Sequence, residues 1–243
     1  MQTVTQIPGN KSGEEDDLTL YSDPEADIME KEIAILMADL SGYTAMTEVH
    51  GAGRAIKVVN TFTRLVEKSL FESSRLLERV GDQVVIVSEK ADDLARTAVE
   101  LYKITEQERH FLPVHAGLHF GPVLEQYRSF YGSTINVAAR IASEAKGRSL
   151  LASFDFISAL KHPKSFHYKL YGTRHFKNVL TPTKLFSIIP EVTNHAPAYY
   201  IDPVCQMQIK KGENNFNYTK DGKEYHFCSH ECLSIFFGNQ ANM

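Results

Sequence analysis

The chain has 243 residues, 43% of them hydrophobic and 23% charged, with a net charge of −4 at pH 7. That composition suits a globular chain long enough for one full core and a small second module. The acidic balance offers nothing to attract a nucleic-acid polymer or an anionic membrane, and no apolar run approaches the ~20 residues a membrane span needs.

Residues 1–30 carry "GEEDD" and "SDPEAD", with no period and no apolar signal core. We expect a disordered acidic leader and a cytoplasmic protein. "EIAILMADL" then reads as a buried strand that ends in Asp39, followed at once by a Ser-Gly turn. In "AGRAIKVVNTFTRLVEKSLFESS", Ile56, Val59, Phe62, Leu65, Val66 and Leu70 recur at spacings of three and four, the mark of an amphipathic helix. "LLERVGDQVVIVS" reads as two strands joined at Gly81-Asp82. A second helix is expected over "ADDLARTAVELYKITEQER", with Leu94, Ala98, Leu101 and Ile104 on one face. "LPVHAGLHFGPVLEQ" reads as a strand pair broken by glycine, and "STINVAARIASEAK" as a helix capped by Ser133 or Thr134. Further strands are expected at "SLLAS", "FHYKLYG" and "TKLFSIIP", and a linker at "PEVTNHAPAYY". Helices alternate with hairpins, which points to an α+β sandwich and away from a purely parallel sheet. The expected division is a leader over 1–30, a main domain over 31–190, a linker over 191–198 and a tail module over 199–243.

Burying the Asp39 carboxylate at a strand tip is costly unless something positive compensates it. Asp82 sits at a second tight turn, after a glycine that permits backbone conformations closed to other residues. Two carboxylates at neighbouring strand ends could hold two divalent cations. Aspartates at such places are also common turn formers, and the pair alone leaves both readings open.

Further motifs decide between them. "MADLSGYT", "ERVGDQ", "GLHFGPV", "GSTINVAARIA" and "HFKNVLTPTKLFSI" follow one another between residues 31 and 190. In order and spacing they resemble the class III nucleotide cyclase catalytic domain. The resemblance implies a ferredoxin-like cyclase sandwich and a homodimer whose two active sites are shared between protomers. Asp39 and Asp82 match the ligands of two Mg²⁺ or Mn²⁺ ions, with Leu40 beside them. The Leu40–Thr44 turn, with Gly42, Tyr43 and Thr44, matches the phosphate cradle. Asn136 matches the residue that orients the ribose, and Arg140 the one that stabilises charge on the α-phosphate. Lys177 stands where the family often has a lysine for the terminal phosphates, although Asn178 replaces the usual glycine. At the two base-selecting positions this chain has Glu78 and Ser129 where adenylate cyclases have lysine and aspartate. Glutamate and a small hydroxyl suit guanine, so GTP is favoured and ATP stays open. Two alternatives remain: a catalytically inactive cyclase-like dimer acting as a metal-binding or regulatory module, and hydrolysis to linear products.

The three cysteines, Cys205, Cys228 and Cys232, all lie in the tail with the spacing C-x22-C-x3-C. An odd number speaks against a disulfide framework and for metal binding, free thiols or a small packed core. Three thiolates leave a fourth position for His226, His230, water or another protein. "DPVCQM" and "YHFCS" make this segment resemble the YHS domain, with Gln206 where glycine is usual. The resemblance implies a metal-binding or metal-sensing role, Zn²⁺ and Cu⁺ both suit thiolates, and because the two modules share one chain, metal at the tail could regulate the catalytic domain. His50, His110, His115 and His119 share no ligand spacing and read as ordinary strand or surface residues.

Overall fold

The structure is a computed structural model that describes residues 28–127, 129–190, 199–212 and 216–240. Leader residues 1–27 and linker residues 191–198 lie outside the described residues.

The central strand is β1 (Met29–Leu40), which begins within the segment expected to be leader. Its residues 33–38 are all buried, in two alternating sets. Ala34, Leu36 and Ala38 pack with α1 (Tyr43–Ser69) and α2 (Ala91–Gln107). Ile33, Ile35 and Met37 pack with Ala138 and Ala142 of α3 (Ser133–Glu144) on the other face. A strand covered on both faces reads as a continuous apolar run, which is why "IAILMA" shows no alternation.

Around β1 the chain adds β2 (Arg75–Val80), β3 (Gln83–Ser88), β4 (Val114–Gln126), β5 (Ser129–Tyr131), β6 (Leu150–Ser153), β7 (His167–Arg174) and β8 (Thr183–Ile189). The sheet order is β2-β3-β1-β4-β6-β8-β7, with β5 paired to β4. Among the described strands of this sheet only β4 and β6 run parallel. A short helix α4 (Phe154–Ser158) follows β6, and its first turn is capped by the Ser153 hydroxyl. The α+β expectation therefore holds.

Four local expectations need correction. β4 is one unbroken strand, not a pair. Gly117 serves packing rather than a turn: a Cβ there would meet the Ala142 backbone nitrogen at 2.2 Å. Its absence lets α3 lie directly on the strand. α1 begins at Tyr43, earlier than predicted, and is broken at Gly51, where φ is 74° and ψ 171°. Its buried face runs through Ala55, Val58, Phe62, Leu65 and Val66, leaving Ile56 62% exposed. The N-cap of α3 is Gly132, and Thr134 instead donates its hydroxyl to the Pro122 carbonyl.

The tail comprises β9 (Tyr199–Ile201) paired with β10 (Gln208–Lys210), β11 (Phe216–Lys220) paired with β12 (Lys223–Phe227), and α5 (His230–Gln240). Asp221 and Gly222 join β11 to β12 with φ of 49° and 74°, a mirror-image turn that matches strand twist. The tail shares its core with the main sheet, because Cys205, Met207, Phe227 and Cys232 pack into the α1–α2 cluster. The Gln208 amide donates to the Phe111 carbonyl at 2.8 Å. Arg148 donates to Glu106 at 2.9 Å and to the Gln208 side chain, with its guanidinium 5.4 Å above the Tyr199 ring. No described helix is long and apolar enough to cross a membrane.

Candidate functional site

Pairing of β1 with β3 sets Ala38 opposite Val84, so Asp39 and Asp82 emerge at the same end of neighbouring strands. Asp82 occupies the two-residue turn after Gly81, whose φ of 61° belongs to the left-handed region. The Asp82 carboxyl is half-buried beside that of Asp39. Burial, then an interaction with Asp39 that favours the protonated form, then repulsion from its charge raise the Asp82 pKa from 3.8 to about 7. Two carboxylates this close cannot both ionise cheaply, and a cation can take the place of the retained proton. The donor set therefore fits a hard divalent ion.

The adjoining turn is tightly fixed. The Leu40 amide donates to Asp39 Oδ1 at 2.9 Å, and the Ser41 amide to the Pro113 carbonyl at 2.8 Å. Gly42, with φ 84°, opens α1, and no side chain caps the helix. Its leading amides, including Tyr43 and Thr44, are of the kind that bind anions.

His115, read from the sequence as an ordinary strand residue, sits opposite Asp39 in the β1–β4 register. Its Nε2 lies 3.9 Å from Asp39 Oδ2. The Ser41 hydroxyl donates to the Gly147 carbonyl and lies 2.9 Å from His115 Nδ1, so it accepts from that nitrogen. Burial lowers the His115 pKa more than Asp39 raises it. The ring is thus neutral, with Nε2 facing the carboxylate. Only the strand register reveals this neighbour.

Asn136 and Arg140 are exposed and four residues apart on α3. The opposite face of that helix, through Val137, Ala138, Ile141 and Ala142, is buried. Their side chains therefore point away from the sheet that carries Asp39 and Asp82. Glu78 on β2 and Ser129 on β5 are both exposed. Arg75 of β2 lies 5.3 Å over the Phe130 ring of β5, which brings those two strands near each other. Lys177 is exposed in the turn between β7 and β8, and Asn178 adopts φ 65°, a conformation glycine favours and asparagine tolerates.

A second cluster joins the tail to the main domain. His50, Cys205, Cys228 and Cys232 place one donor atom each within 4.8 Å of one another, and together could hold a metal ion. Cys205 Sγ is 3.4 Å from Cys228 Sγ, and Cys228 Sγ is 3.7 Å from Cys232 Sγ. His50 Nε2 lies 3.5 Å from Cys228 Sγ and 3.6 Å from Cys232 Sγ. The histidine in this group comes from α1, not from the tail. His226, one of the donors the sequence offered for the fourth position, is outside it, with its ring stacked on Tyr200 at 3.3 Å. His50 carried no signal in the sequence because it is 178 positions from Cys228.

Asp202, also missed in the sequence, is the organiser of the cysteine loop. It is 0% exposed and accepts from the Val204 and Cys205 amides through Oδ1 and from the Cys228 amide through Oδ2, at 2.8, 3.2 and 2.7 Å. Its signal was the Asp-Pro of "DPVCQM", a turn former. Without metal the three sulfurs share protons. Hydrogen bonds with Cys228 and Cys232, with burial, push the Cys205 thiol up, while bonds from Cys205 and Cys228 hold Cys232 low.

Comparison with known proteins bears on both clusters. Residues 200–242 match the YHS domain, and residues 27–188 match the adenylate and guanylate cyclase catalytic domain. An uncharacterized protein of Mycobacterium tuberculosis is 32% identical over 117 residues, 48% of this chain and 31% of that protein. A pH-sensitive adenylate cyclase of the same species is 22% identical over 161 residues, 65% of this chain and 41% of that protein. The chain thus spans less than half the length of either relative. The adenylyl cyclase CyaB from P. aeruginosa shares the fold, with a TM-score of 0.59 at 15% identity over 70% of this chain and 99% of that one. With more than half of its length matched, from the strand that bears Asp39 into β8, this chain belongs to the family of adenylate and guanylate cyclase catalytic domains.

Proposed function

We infer that the chain is a nucleotide cyclase that converts a purine nucleoside triphosphate, GTP in preference to ATP, into the 3′,5′-cyclic monophosphate and pyrophosphate. The observation that carries this is the Asp39–Asp82 carboxyl pair, close enough to raise the Asp82 pKa, beside the uncapped start of α1. In the reaction the ribose 3′-oxygen attacks the α-phosphorus. A new P–O bond forms, the bond to the bridging oxygen breaks, pyrophosphate leaves and the 3′-hydroxyl proton passes to solvent water.

Asp39 and Asp82 would hold the divalent ions, Mg²⁺ or Mn²⁺, with the main chain at Leu40 beside them. When bound, these ions supply Lewis acidity to the attacking oxygen and the triphosphate. Amides of Gly42, Tyr43 and Thr44 receive the phosphates, and Lys177 meets the terminal ones. Asn136 positions the ribose. Arg140 offers a permanently charged planar fork to the α-phosphate oxygens. Because Asn136 and Arg140 face away from the sheet, a second copy of the chain brings them to the metal pair, and a homodimer carries two shared sites.

Glu78 accepts from the guanine N1–H and 2-amino groups, and Ser129 donates to O6. ATP is the second reading, favoured by relatives named adenylate cyclases. Incubation with GTP or ATP plus Mn²⁺ or Mg²⁺, with product masses measured, tests all of this. Cyclic GMP that disappears in Asp39→Ala is the expected result, and Glu78→Lys with Ser129→Asp is expected to shift the preference toward ATP. Cyclic AMP from the native chain would overturn the base assignment. Linear products only would make it a hydrolase. No product at all would leave an inactive, metal-binding dimer.

A further inference from the structure

The sequence seats the metal ligands of the tail within the tail. The structure draws one donor from the catalytic domain. We propose that His50, Cys205, Cys228 and Cys232 form one tetrahedral Zn²⁺ site that clasps the tail to the catalytic domain, and that the clasp bears on the Leu40–Thr44 turn. The second half rests on the nucleotide reading of that turn, and the first half does not.

Donor spacing argues for the geometry. Zinc bonds of about 2.3 Å to sulfur and about 2.0–2.1 Å to nitrogen, in a tetrahedron, set sulfur–sulfur edges near 3.8 Å and sulfur–nitrogen edges near 3.6 Å. The sulfurs stand 3.4 and 3.7 Å apart, and the histidine nitrogen lies 3.5 and 3.6 Å from two of them. Three soft thiolates and an imidazole are a donor set that zinc accepts in closed structural sites. His50 Nδ1 faces Glu231 at 3.9 Å, the outer partner that a metal-bound histidine usually has. An open crevice lined by His50, Arg54, His110, Met207, Cys228 and Ser229 gives the ion a way in.

Two connections run from this site to the turn. The first is the arm Tyr43–His50: the turn starts it, His50 ends it, and the Gly51 break frees it from the rest of α1. The second is Gln206, the neighbour of Cys205, which holds φ 64°, a left-handed conformation unfavourable for a non-glycine residue. Strain of this kind persists where surrounding structure fixes it. Here the Gln206 side chain is seated on Gly42, so closely that a Cβ on Gly42 would lie 2.2 Å from the Gln206 Cβ. A ligand on each side of the ion, His50 and Cys205, is thus linked directly to the turn.

The test uses the full chain and needs no nucleotide turnover. One equivalent of zinc is expected to bind, with X-ray absorption showing three sulfurs and one nitrogen. His50→Gln, close in size, is expected to weaken zinc by more than the about 10–100-fold typical of outer-shell changes. His226→Ala is expected to leave affinity unchanged. Hydrogen exchange at residues 40–46 is expected to slow on zinc addition in the native chain and not in His50→Gln. A sulfur-only or oxygen-containing shell, or native affinity in His50→Gln, would overturn the site. Zinc binding with no change in exchange would overturn the clasp on the turn. A chain with no cyclase activity would still give either answer, so loss of the catalytic reading is separable from loss of this one.

Discussion

Asp82 carries the clearest titration. Its folded pKa of about 7 lies above the ordinary 3.8, so in the metal-free protein the group favours folding at low pH. That contribution is complete below about 4 and is lost as pH rises through about 7. Metal-free protein is therefore expected to melt at a lower temperature at pH 8 than at pH 5, and Asp82→Asn is expected to remove that group's share of the difference. For Mg²⁺ or Mn²⁺ the sign reverses. The cation competes with the proton, so affinity measured by calorimetry should fall about tenfold per unit below pH 7. In the tail, Asp202→Ala removes three amide bonds to a buried carboxylate, bonds typically worth about 1.5–3 kcal/mol each to a charged group. Loss of zinc affinity and an earlier unfolding step for the tail are the expected readouts. Both effects follow from burial and partners, which residue identity alone does not convey.

At the scale of elements, contact between α3 and β4 sets where Asn136 and Arg140 stand. Gly117→Ala would drive a methyl into the α3 backbone at Ala142. Overpacking at such a point costs about 1–3 kcal/mol, so thermal unfolding should show a drop of several degrees. Turnover should fall further than stability does, because the helix carrying both residues must shift. The helices, the Gly81-Asp82 hairpin and most strands of the main domain were legible in the sequence, since period 3.6 and period 2 are local signals, whereas the order of strands in the sheet was not. The unbroken β4 was not. Glycine reads as a breaker, and its other use, close approach of a helix backbone, depends on an element not yet placed. The arm of α1 before Gly51 was missed too, because the clear apolar period begins only beyond that glycine.

Across the whole molecule, the proposed homodimer with shared sites makes a prediction of its own. Arg140→Ala is expected to lower kcat by about 10²–10³, as loss of one preorganised charge commonly does. Asp39→Ala alone is expected to abolish turnover. Mixed in equal amounts, the two variants should recover about a quarter of native activity, because half the dimers are mixed and each mixed dimer has one intact site. No recovery in the mixture would mean that each chain completes its own site. The two carboxylate turns, the Asn-to-Arg spacing on α3 and the cysteine spacing were written in the sequence, since each is a short-range pattern. That His115 faces Asp39, that Asp202 gathers the cysteine loop and that His50 meets the three cysteines were decided by tertiary structure alone. Each of these depends on strand register or on packing between segments far apart in the chain, and no local periodicity encodes such a distance.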